Sequence, residues 1–284
     1  MNIHQIAPDV YVATVYPGIN VGLILTEAGP IAVDAPLLQA DIEAWRAFTQ
    51  EVAGRPILYT ILTDHRPERV FGARAVGAPT IAGAGTLAYL EQLGDEFAQA
   101  EIATWREACP EGTGWLADWR PAKPELTVDG QITLHGSPSI VVESIAGAGP
   151  GSVWVRLIGT RVLFTGDAVT IGMHPFLQDA PDTRGWLEAL VYIRRPYFPF
   201  DVIVPGRGSV SDKEATRPLS EYIQLARRRM RSFHIKRQDL SEVEALLPEF
   251  LDLFPVAEGQ RDAVRRRVKA GLEQVYRELY SVEE

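Results

Sequence analysis

One segment, residues 61–72 with the sequence ILTDHRPERVFG, constrains the fold more than any other part of the chain. The short apolar run at residues 57–62 leads into it and predicts a strand. Residues 69–76 have helical character, so the segment predicts a strand, a polar loop and a helix in direct succession. Such strand–helix alternation is typical of a parallel sheet in an α/β fold. The loop carries an unusual density of charged residues for so short a connection.

This segment resembles the loop signature of the metallo-β-lactamase superfamily, T-H-x-H-x-D-H-x-x-G. The residues that fit the frame of the signature are Thr63, Pro67, Val70, Phe71 and Gly72. The positions at which family members carry metal ligands hold Asp64, Arg66, Glu68 and Arg69.

Further landmarks of the family follow in the family's order. The G-H-T-P-G-S signature is GAGPGS at residues 147–152, with Ala148 at the histidine position. The strand-plus-acid signature is VLFTGD and keeps Asp167, whereas V-P-G-H-G is VPGRG, with Arg207 at the histidine position. An early apolar strand ends at Asp34, as the family pattern requires. The resemblance implies an α/β fold, namely a four-layer αββα sandwich.

The residues at these positions do not supply a zinc site. Zinc in proteins is bound by imidazole, thiolate or carboxylate groups. Only Asp167 keeps the residue that the family pattern requires, and Ala148 has no donor atom. The guanidinium groups of Arg66, Arg69 and Arg207 are permanently cationic and cannot ligate a dication. We therefore predict that the usual binuclear zinc site is lost and that the chain uses no cofactor.

The replacing residues are balanced in charge. Asp64, Glu68 and Asp167 bring negative charge to the expected cleft, and the three arginines bring positive charge. An unpaired buried charge is unfavourable, and a planar guanidinium can bridge carboxylates with parallel hydrogen bonds. We predict a salt-bridged cluster at the former metal site. The alternative is that these residues are exposed and make no mutual contact.

Two histidines stand near the signatures. His65 lies beside the ligand positions of the first loop, and His174 lies in a segment that borders the active site of related enzymes. A single histidine before a proline is more often a loop residue that hydrogen-bonds the backbone. Both remain candidates for ligand binding, together with Arg66, Arg69 and Arg207.

The remaining pattern predicts the other elements of the sandwich. A loop at residues 112–124 is expected to cover the rim of the site. Helices are predicted at residues 41–52, 86–109 and around 186–190. Strands are predicted at residues 10–15, 21–25, 31–34, 80–82, 131–134, 140–144, 153–158 and 162–165.

Residues 212–284 are predicted to be a helical extension of an αββα domain that comprises residues 1–211. Apolar residues recur at helical spacing in residues 219–233 and 264–279, which predicts buried helix faces. Ser241 and Glu244 predict a capping box between them. The apolar stripe is compatible with a homodimer through the extension or with a lid over the cleft.

The extension also contains two basic triplets, at residues 227–229 and 265–267. Consecutive residues fan around a helix, so these triplets are interpreted as solvated faces with local ion pairs rather than a nucleic-acid site. The net charge of -9 and the pI near 5.2 also argue against nucleic-acid and anionic-membrane partners.

The single cysteine, Cys109, excludes an internal disulfide. The first residues lack the pattern of a signal peptide, and no apolar run reaches the roughly 18 residues of a membrane span. A cytoplasmic protein is expected.

Three functional classes follow. The first is a non-catalytic, metal-free relative of the hydrolases that binds a small anionic ligand or regulates a partner. The second is a divergent hydrolase with a metal-free site or one metal bound through oxygen-rich ligands. The third is an interaction module that works through the extension. Whether the chain is an enzyme stays open at this point. The ligands available to the second class are Asp64, His65, Glu68, Asp167 and His174.

Overall fold

The computed structural model of the chain describes residues 3–118 and 123–280. Within these residues, the strands of the first half form a seven-stranded sheet in sequence order. The first four strands pair antiparallel because they are joined by short turns, and the last four pair parallel because helices connect them. These strands are β1 (Ile3–Ala7), β2 (Val10–Ala13), β3 (Val21–Leu25), β4 (Pro30–Val33), β5 (Tyr59–Leu62), β6 (Thr80–Gly83) and β7 (Leu126–Val128).

The strands of the second half form a five-stranded sheet. They are β8 (Gln131–Leu134), β9 (Ser139–Ser144), β10 (Val153–Ile158), β11 (Val162–Thr170) and β12 (Val202–Arg207). The order across the sheet is β12-β11-β10-β9-β8, and only the β11–β12 pair is parallel in the described part of the chain. Strand β11 is buried along its whole length, so it lies at the centre of the molecule.

Helices cover the outer face of each sheet. One apolar cluster lies between the two sheets. A second joins the first sheet to the four helices of the first half of the chain, and a third joins the second sheet to the helices of the second half. This arrangement confirms the predicted four-layer αββα sandwich. The helices are α1 (Gln39–Ala53), α2 (Pro67–Val76), α3 (Ala84–Gln92), α4 (Asp95–Ala108), α5 (Thr183–Ile193), α6 (Arg217–Ile235), α7 (Leu247–Leu251) and α8 (Arg261–Tyr280).

The carboxyl-terminal helices pack against the second sheet of their own chain. The apolar faces of α6 and α8 are buried in the same cluster as Trp186 of α5 and Leu163 of β11. The predicted stripes are therefore covered within the chain. A domain boundary at residue 211 and a homodimer stay predictions, and a homodimer would need a surface other than these stripes.

Three local predictions differ from the structure in the extension. The capping box is formed by Asp239 and Glu242, not by Ser241 and Glu244, because a 3-10 helix begins at Leu240. Arg227 is not solvated: its guanidinium is buried and pairs with Glu278. Arg267 of α8 is likewise turned inward, toward the ring of Phe176.

Other differences concern element boundaries. The predicted helix at residues 86–109 is two helices, α3 and α4, because the chain is extended at Leu93 and Gly94. Strand β11 continues past the predicted end at residue 165, through a register shift against β12. The loop at residues 112–124 contains a 3-10 turn at Gly114–Asp118, and its residues 119–122 lie outside the described residues. Among the described residues, no helix combines the length and apolar character that a membrane crossing requires.

Candidate functional site

The charged residues of the signatures meet where strands of both sheets end. Asp34 follows β4, and Thr63 follows β5 at the entrance to the loop before α2. Asp167 lies in β11 and Arg207 ends β12 in the facing sheet. Since the carboxyl ends of neighbouring parallel strands lie at one edge, the fold brings residues that are distant in sequence into one polar cluster.

Arg69 occupies the centre of this cluster and is fully buried. Its Nη2 donates a hydrogen bond to Asp167 Oδ1 at 2.8 Å, and its Nε donates to Asp34 Oδ2 at 3.1 Å. The same Nε lies 3.6 Å from Asp64 Oδ1, and Nη1 lies 4.0 Å from Glu68 Oε1. A single guanidinium from helix α2 therefore lies close to four carboxylates, which come from three different parts of the chain.

Two further arginines complete the pairing of Asp167, which has no exposed surface. Arg207 Nε donates to both carboxylate oxygens of Asp167 at 3.2 and 3.1 Å, and its Nη2 contacts Glu68. Arg66 Nε forms an ion pair with Asp167 Oδ2 at 3.1 Å, and Arg66 Nη2 forms one with Asp179 at 3.2 Å. The salt-bridged cluster predicted from the sequence is present, and its arginines are neutralised internally.

An aromatic ring covers the cluster. The guanidinium carbons of Arg66, Arg207 and Arg267 lie 4.2, 4.4 and 4.2 Å from the centroid of the Phe176 ring. The negative face of an aromatic ring attracts cations, and the attraction is larger where water is excluded. Phe176 is buried, so its contact with each of the three cations is favourable.

The backbone conformation at Asp34 and Gly206 lets the side chains of the cluster lie close together. Asp34 has a φ of 57°, a left-handed conformation that is uncommon for a residue other than glycine. Its carboxylate accepts hydrogen bonds from Thr63 N at 2.9 Å and from Thr63 Oγ1 at 2.6 Å, which hold it in this conformation. At Gly206 a Cβ atom would lie 2.3 Å from Asp167 Oδ1, so the position before Arg207 admits no side chain.

Burial and the neighbouring charges shift the pKa values of several groups in the cluster. Burial alone would raise the pKa of Asp167 and lower that of Arg69, but their mutual attraction and that of their neighbours reverses both shifts. Both groups are therefore held in their charged forms. Burial raises the pKa of Asp34 to about 6, although Arg69 and Thr63 oppose the shift. Asp34 therefore takes up a proton more readily than Glu68 or Asp167.

Stability is expected to fall in two stages as the pH is lowered. Burial lowers the pKa of His65 and His174, so protonation of the unfolded chain below about pH 6.5 disfavours the folded state. Asp34 acts in the opposite direction, because its raised pKa lets the folded state bind a proton first. Glu68 and Asp167 have lowered pKa values, so their contribution is present above about pH 4.5 and is lost below it.

Urea denaturation at about pH 7.5, 5.5 and 3.5 measures these stages as changes in the free energy of unfolding. His174→Phe should reduce the first stage and leave the second unchanged. Because Asp34 takes up a proton between about pH 5.5 and 3.5, the second stage is compared with that of Glu68→Gln, in which the loss of stability over this interval should be smaller. An equal loss in this variant would contradict the ion-pair assignment.

The metal that the family resemblance implies does not fit these residues. The space between the carboxylates holds the guanidinium of Arg69, and Asp167 is already paired with three arginines. Ala148 offers only its backbone oxygen, which accepts a hydrogen bond from Arg66 Nη2 at 3.4 Å. Among the described residues, no group of three or more histidine, cysteine, aspartate or glutamate side chains is arranged to hold a metal ion.

The two candidate histidines lie on different sides of the cluster. His65 is buried, and its ring meets the edge of Tyr89 with 4.4 Å between centroids. His174 is buried between Tyr222 and Phe254. It also borders a cavity of about 660 Å³, which Arg207 and other residues line. Of the two histidines, only His174 lines this cavity.

Sequence reasoning missed several residues of the site. Phe176 and Asp179 lie in the loop after β11, where no motif marks them. Arg267 was assigned to a solvated face, yet it follows Val264 by three positions and precedes Val268, and both valines are buried. That spacing places Arg267 beside the apolar stripe of α8 and could have identified it as an inward-facing residue.

Comparison with known proteins agrees with the fold. The sequence model of the metallo-beta-lactamase superfamily matches residues 19–207, which is more than half of the chain. A double mutant of the sec-alkyl sulfatase PisA1 has a similar structure, with a TM-score of 0.73 and 14% sequence identity over 98% of this chain and 50% of that chain. This chain thus spans about half the length of the alkylsulfatase.

Two further structures cover a smaller share of this chain and nearly all of their own length. The metallo-beta-lactamase from Pontibacter korlensis has a TM-score of 0.58 and 18% identity over 78% of this chain and 98% of that chain. The DIM-1 metallo-beta-lactamase has a TM-score of 0.61 and 18% identity over 79% of this chain and 97% of that chain. At these identities, the likeness concerns the fold. No curated protein sequence matches the chain significantly.

The family match and the fold agree with the order of the four signatures, so this chain belongs to the metallo-beta-lactamase superfamily.

Proposed function

We propose that this protein is a metal-independent, non-catalytic binding relative of the superfamily's hydrolases, with a cleft that takes a small anionic ligand. The observation that supports this proposal most is the buried guanidinium of Arg69 among Asp34, Asp64, Glu68 and Asp167. With its permanent positive charge, Arg69 offsets the negative charge of the surrounding carboxylates. It has no coordination site to offer a substrate or a water molecule.

The residues around the cluster are poorly suited to hydrolysis. The family resemblance implies hydrolysis by a metal-activated water, and the donor set of this chain does not fit that metal. Arginines are too basic to act as general bases near neutral pH, and Asp167 is held ionised by three of them. His65 and His174 are buried, and neither forms a hydrogen bond to a carboxylate among the described residues. Binding is the function that this arrangement supports.

The first test is metal content. Protein purified without chelators is expected to contain substoichiometric zinc, iron and manganese, because guanidinium groups occupy the space between the carboxylates. Elemental analysis by inductively coupled plasma mass spectrometry measures this content directly. A full binuclear complement that survives dialysis would contradict the proposal.

The second test is an activity panel. We expect no turnover of β-lactam, lactone, thioester, phosphodiester or sec-alkyl sulfate substrates, with or without added zinc. The sulfate ester is included because a structural neighbour is an alkylsulfatase. The control is Asp64→Asn, which keeps the shape of a buried side chain but removes its charge.

Turnover that co-elutes with the protein and disappears in Asp64→Asn would favour the divergent hydrolase instead. Turnover that persists unchanged in this variant indicates a contaminating enzyme, and removing it by further purification would leave the proposal intact.

A further inference from the structure

A cavity lies beside the charged cluster. It has a volume of about 660 Å³ and lies between the loop after β2, the end of β12, the loop after β11 and the start of α8. This volume is within the range of small-molecule binding sites. The helical extension supplies one of its walls, so the cavity combines the sandwich with the carboxyl-terminal helices.

Arg267 on this wall differs from the arginines of the cluster. Its Nη2 donates to the backbone oxygen of His174 at 3.3 Å, and no described carboxylate lies within ion-pairing distance of it. Its Nε is buried without a hydrogen-bond partner in the described part of the chain. A buried donor on a charged group is unfavourable unless a partner satisfies it. The cavity next to this group provides the space for such a partner.

The surroundings of Arg267 favour an anion. Burial, and to a smaller extent the nearby Arg207 and Arg66, lower the pKa of Arg267 to about 10, although Tyr222 and Asp167 oppose the shift. Phe176 stacks on the same guanidinium and restricts its orientation. An anionic head placed here would supply the counter-charge that Arg267 lacks among the described residues.

His174 adds a second unsatisfied polar group. Both of its ring nitrogens are buried and lack a hydrogen bond of regular geometry among the described residues, although the Phe254 backbone lies close enough to favour the charged form. Burial and Arg267 still lower the pKa of His174, so its ring is neutral near pH 7. A neutral imidazole presents one donor and one acceptor, of which the donor suits an anionic head.

The remainder of the wall is largely apolar. Ile19, Met173 and Val264 line the cavity, and Val264 belongs to the buried stripe of α8. Apolar surface of this kind gains free energy when it contacts an apolar group instead of water. One unpaired cation and an apolar wall together select for a single negative charge attached to an apolar chain.

We propose that this cavity binds an amphiphilic organic monoanion, with its charged head on Arg267 and its apolar chain against Met173 and Val264. The proposal rests on the proposed function, in which the cleft binds a ligand without metal, and it names the class of that ligand. A carboxylate and a sulfate monoester share the required head chemistry.

The experiment is a calorimetric titration of chelator-treated protein, after its metal content has been measured. The probes are decanoate and decyl sulfate below their micelle concentrations, compared with decanol, decyltrimethylammonium and acetate. Decanoate or decyl sulfate should bind at least about 10-fold more tightly than the neutral and cationic probes, since a charge-assisted contact is worth that much. Acetate should bind more weakly than decanoate because it has no apolar chain.

The matched variants are Arg267→Gln and Arg266→Gln. Arg266 is the preceding residue of the same helix and is exposed, so its variant makes the same change in charge outside the cavity. Arg267→Gln should lower the affinity for decanoate at least about 10-fold, whereas Arg266→Gln should leave it unchanged. If Arg267→Gln does not fold, two other variants test the proposal. Arg267→Lys should keep part of the affinity for decanoate, and Met173→Gln should lower the affinity for decanoate more than the affinity for acetate.

The outcomes separate the two proposals. Equal decanoate affinity in the wild type and Arg267→Gln, equal binding of decanol, or no binding of either anion by metal-free protein would overturn the ligand class alone. Stoichiometric bound metal would instead overturn the proposed function, whatever the titrations show. If decyl sulfate binds and decanoate does not, the head is a sulfate ester and the site on Arg267 stands.

Discussion

Arg69→Ala is expected to lower the free energy of unfolding by about 3–5 kcal/mol, the range found when one partner of a buried ion pair is removed. The variant leaves Asp34 and Asp167 buried without their shared cation, and Asp64 and Glu68 lose a nearby positive charge. Urea denaturation monitored by circular dichroism measures the change.

The control for this prediction is Arg184→Ala. Arg184 also pairs with a carboxylate, Glu188, but both side chains are largely exposed. Its removal should change stability by about 1 kcal/mol or less. If Arg69→Ala behaved like Arg184→Ala, the cluster would not be a stabilising unit. Arg69→Lys should be intermediate or close to Ala, because an ammonium cannot reproduce the fork that contacts Asp34 and Asp167 at once.

Asp167→Ala is expected to destabilise the protein by a similar amount, about 3–5 kcal/mol, for the opposite reason. It leaves Arg66, Arg69 and Arg207 close together without the carboxylate that all three contact. The same denaturation experiment gives the value, and a thermal melt provides an independent measure of the order among the variants.

A double-mutant cycle makes this prediction specific to the pair. Arg69→Met combined with Asp167→Leu should destabilise less than the sum of the two single changes, with a coupling of about 0.5–3 kcal/mol. Each single variant leaves the other residue without one of its ion-pair partners, whereas the double variant removes both members of this pair. Strict additivity would show that the two residues contribute independently.

The fold was predictable from the sequence because its signals are local and repeated. The strand and helix patterns are consistent with two sheets flanked by helices, the four signatures in order imply the αββα sandwich through the family resemblance, and the structure confirms it. The exchange of metal ligands for arginines and carboxylates could also be read directly, since it occurs at motif positions such as Asp64 and Arg69. The charges at those positions then predicted that the residues would pair.

What could not be predicted depends on contacts that no motif encodes. Asp34 was recognisable as the end of a strand, but its hydrogen bonds to Thr63 and Arg69 follow from the way β4 and β5 end side by side. Phe176 became part of the site because three arginines converge on its ring from separate segments. The inward direction of Arg267 depended on how α8 docks on the sandwich.

The position of Arg69 also bears on how this protein depends on its surroundings. A metal ion equilibrates with the medium, so a fold that relies on one is sensitive to supply, to competing chelators and to replacement by another ion. The cation of this cluster is covalently attached to helix α2 and is synthesised with the chain. Its occupancy is therefore independent of metal availability. The same attachment makes a return to metal dependence difficult, because exchanging Arg69 for histidine would leave the buried carboxylate of Asp34 without its ion-pair partner.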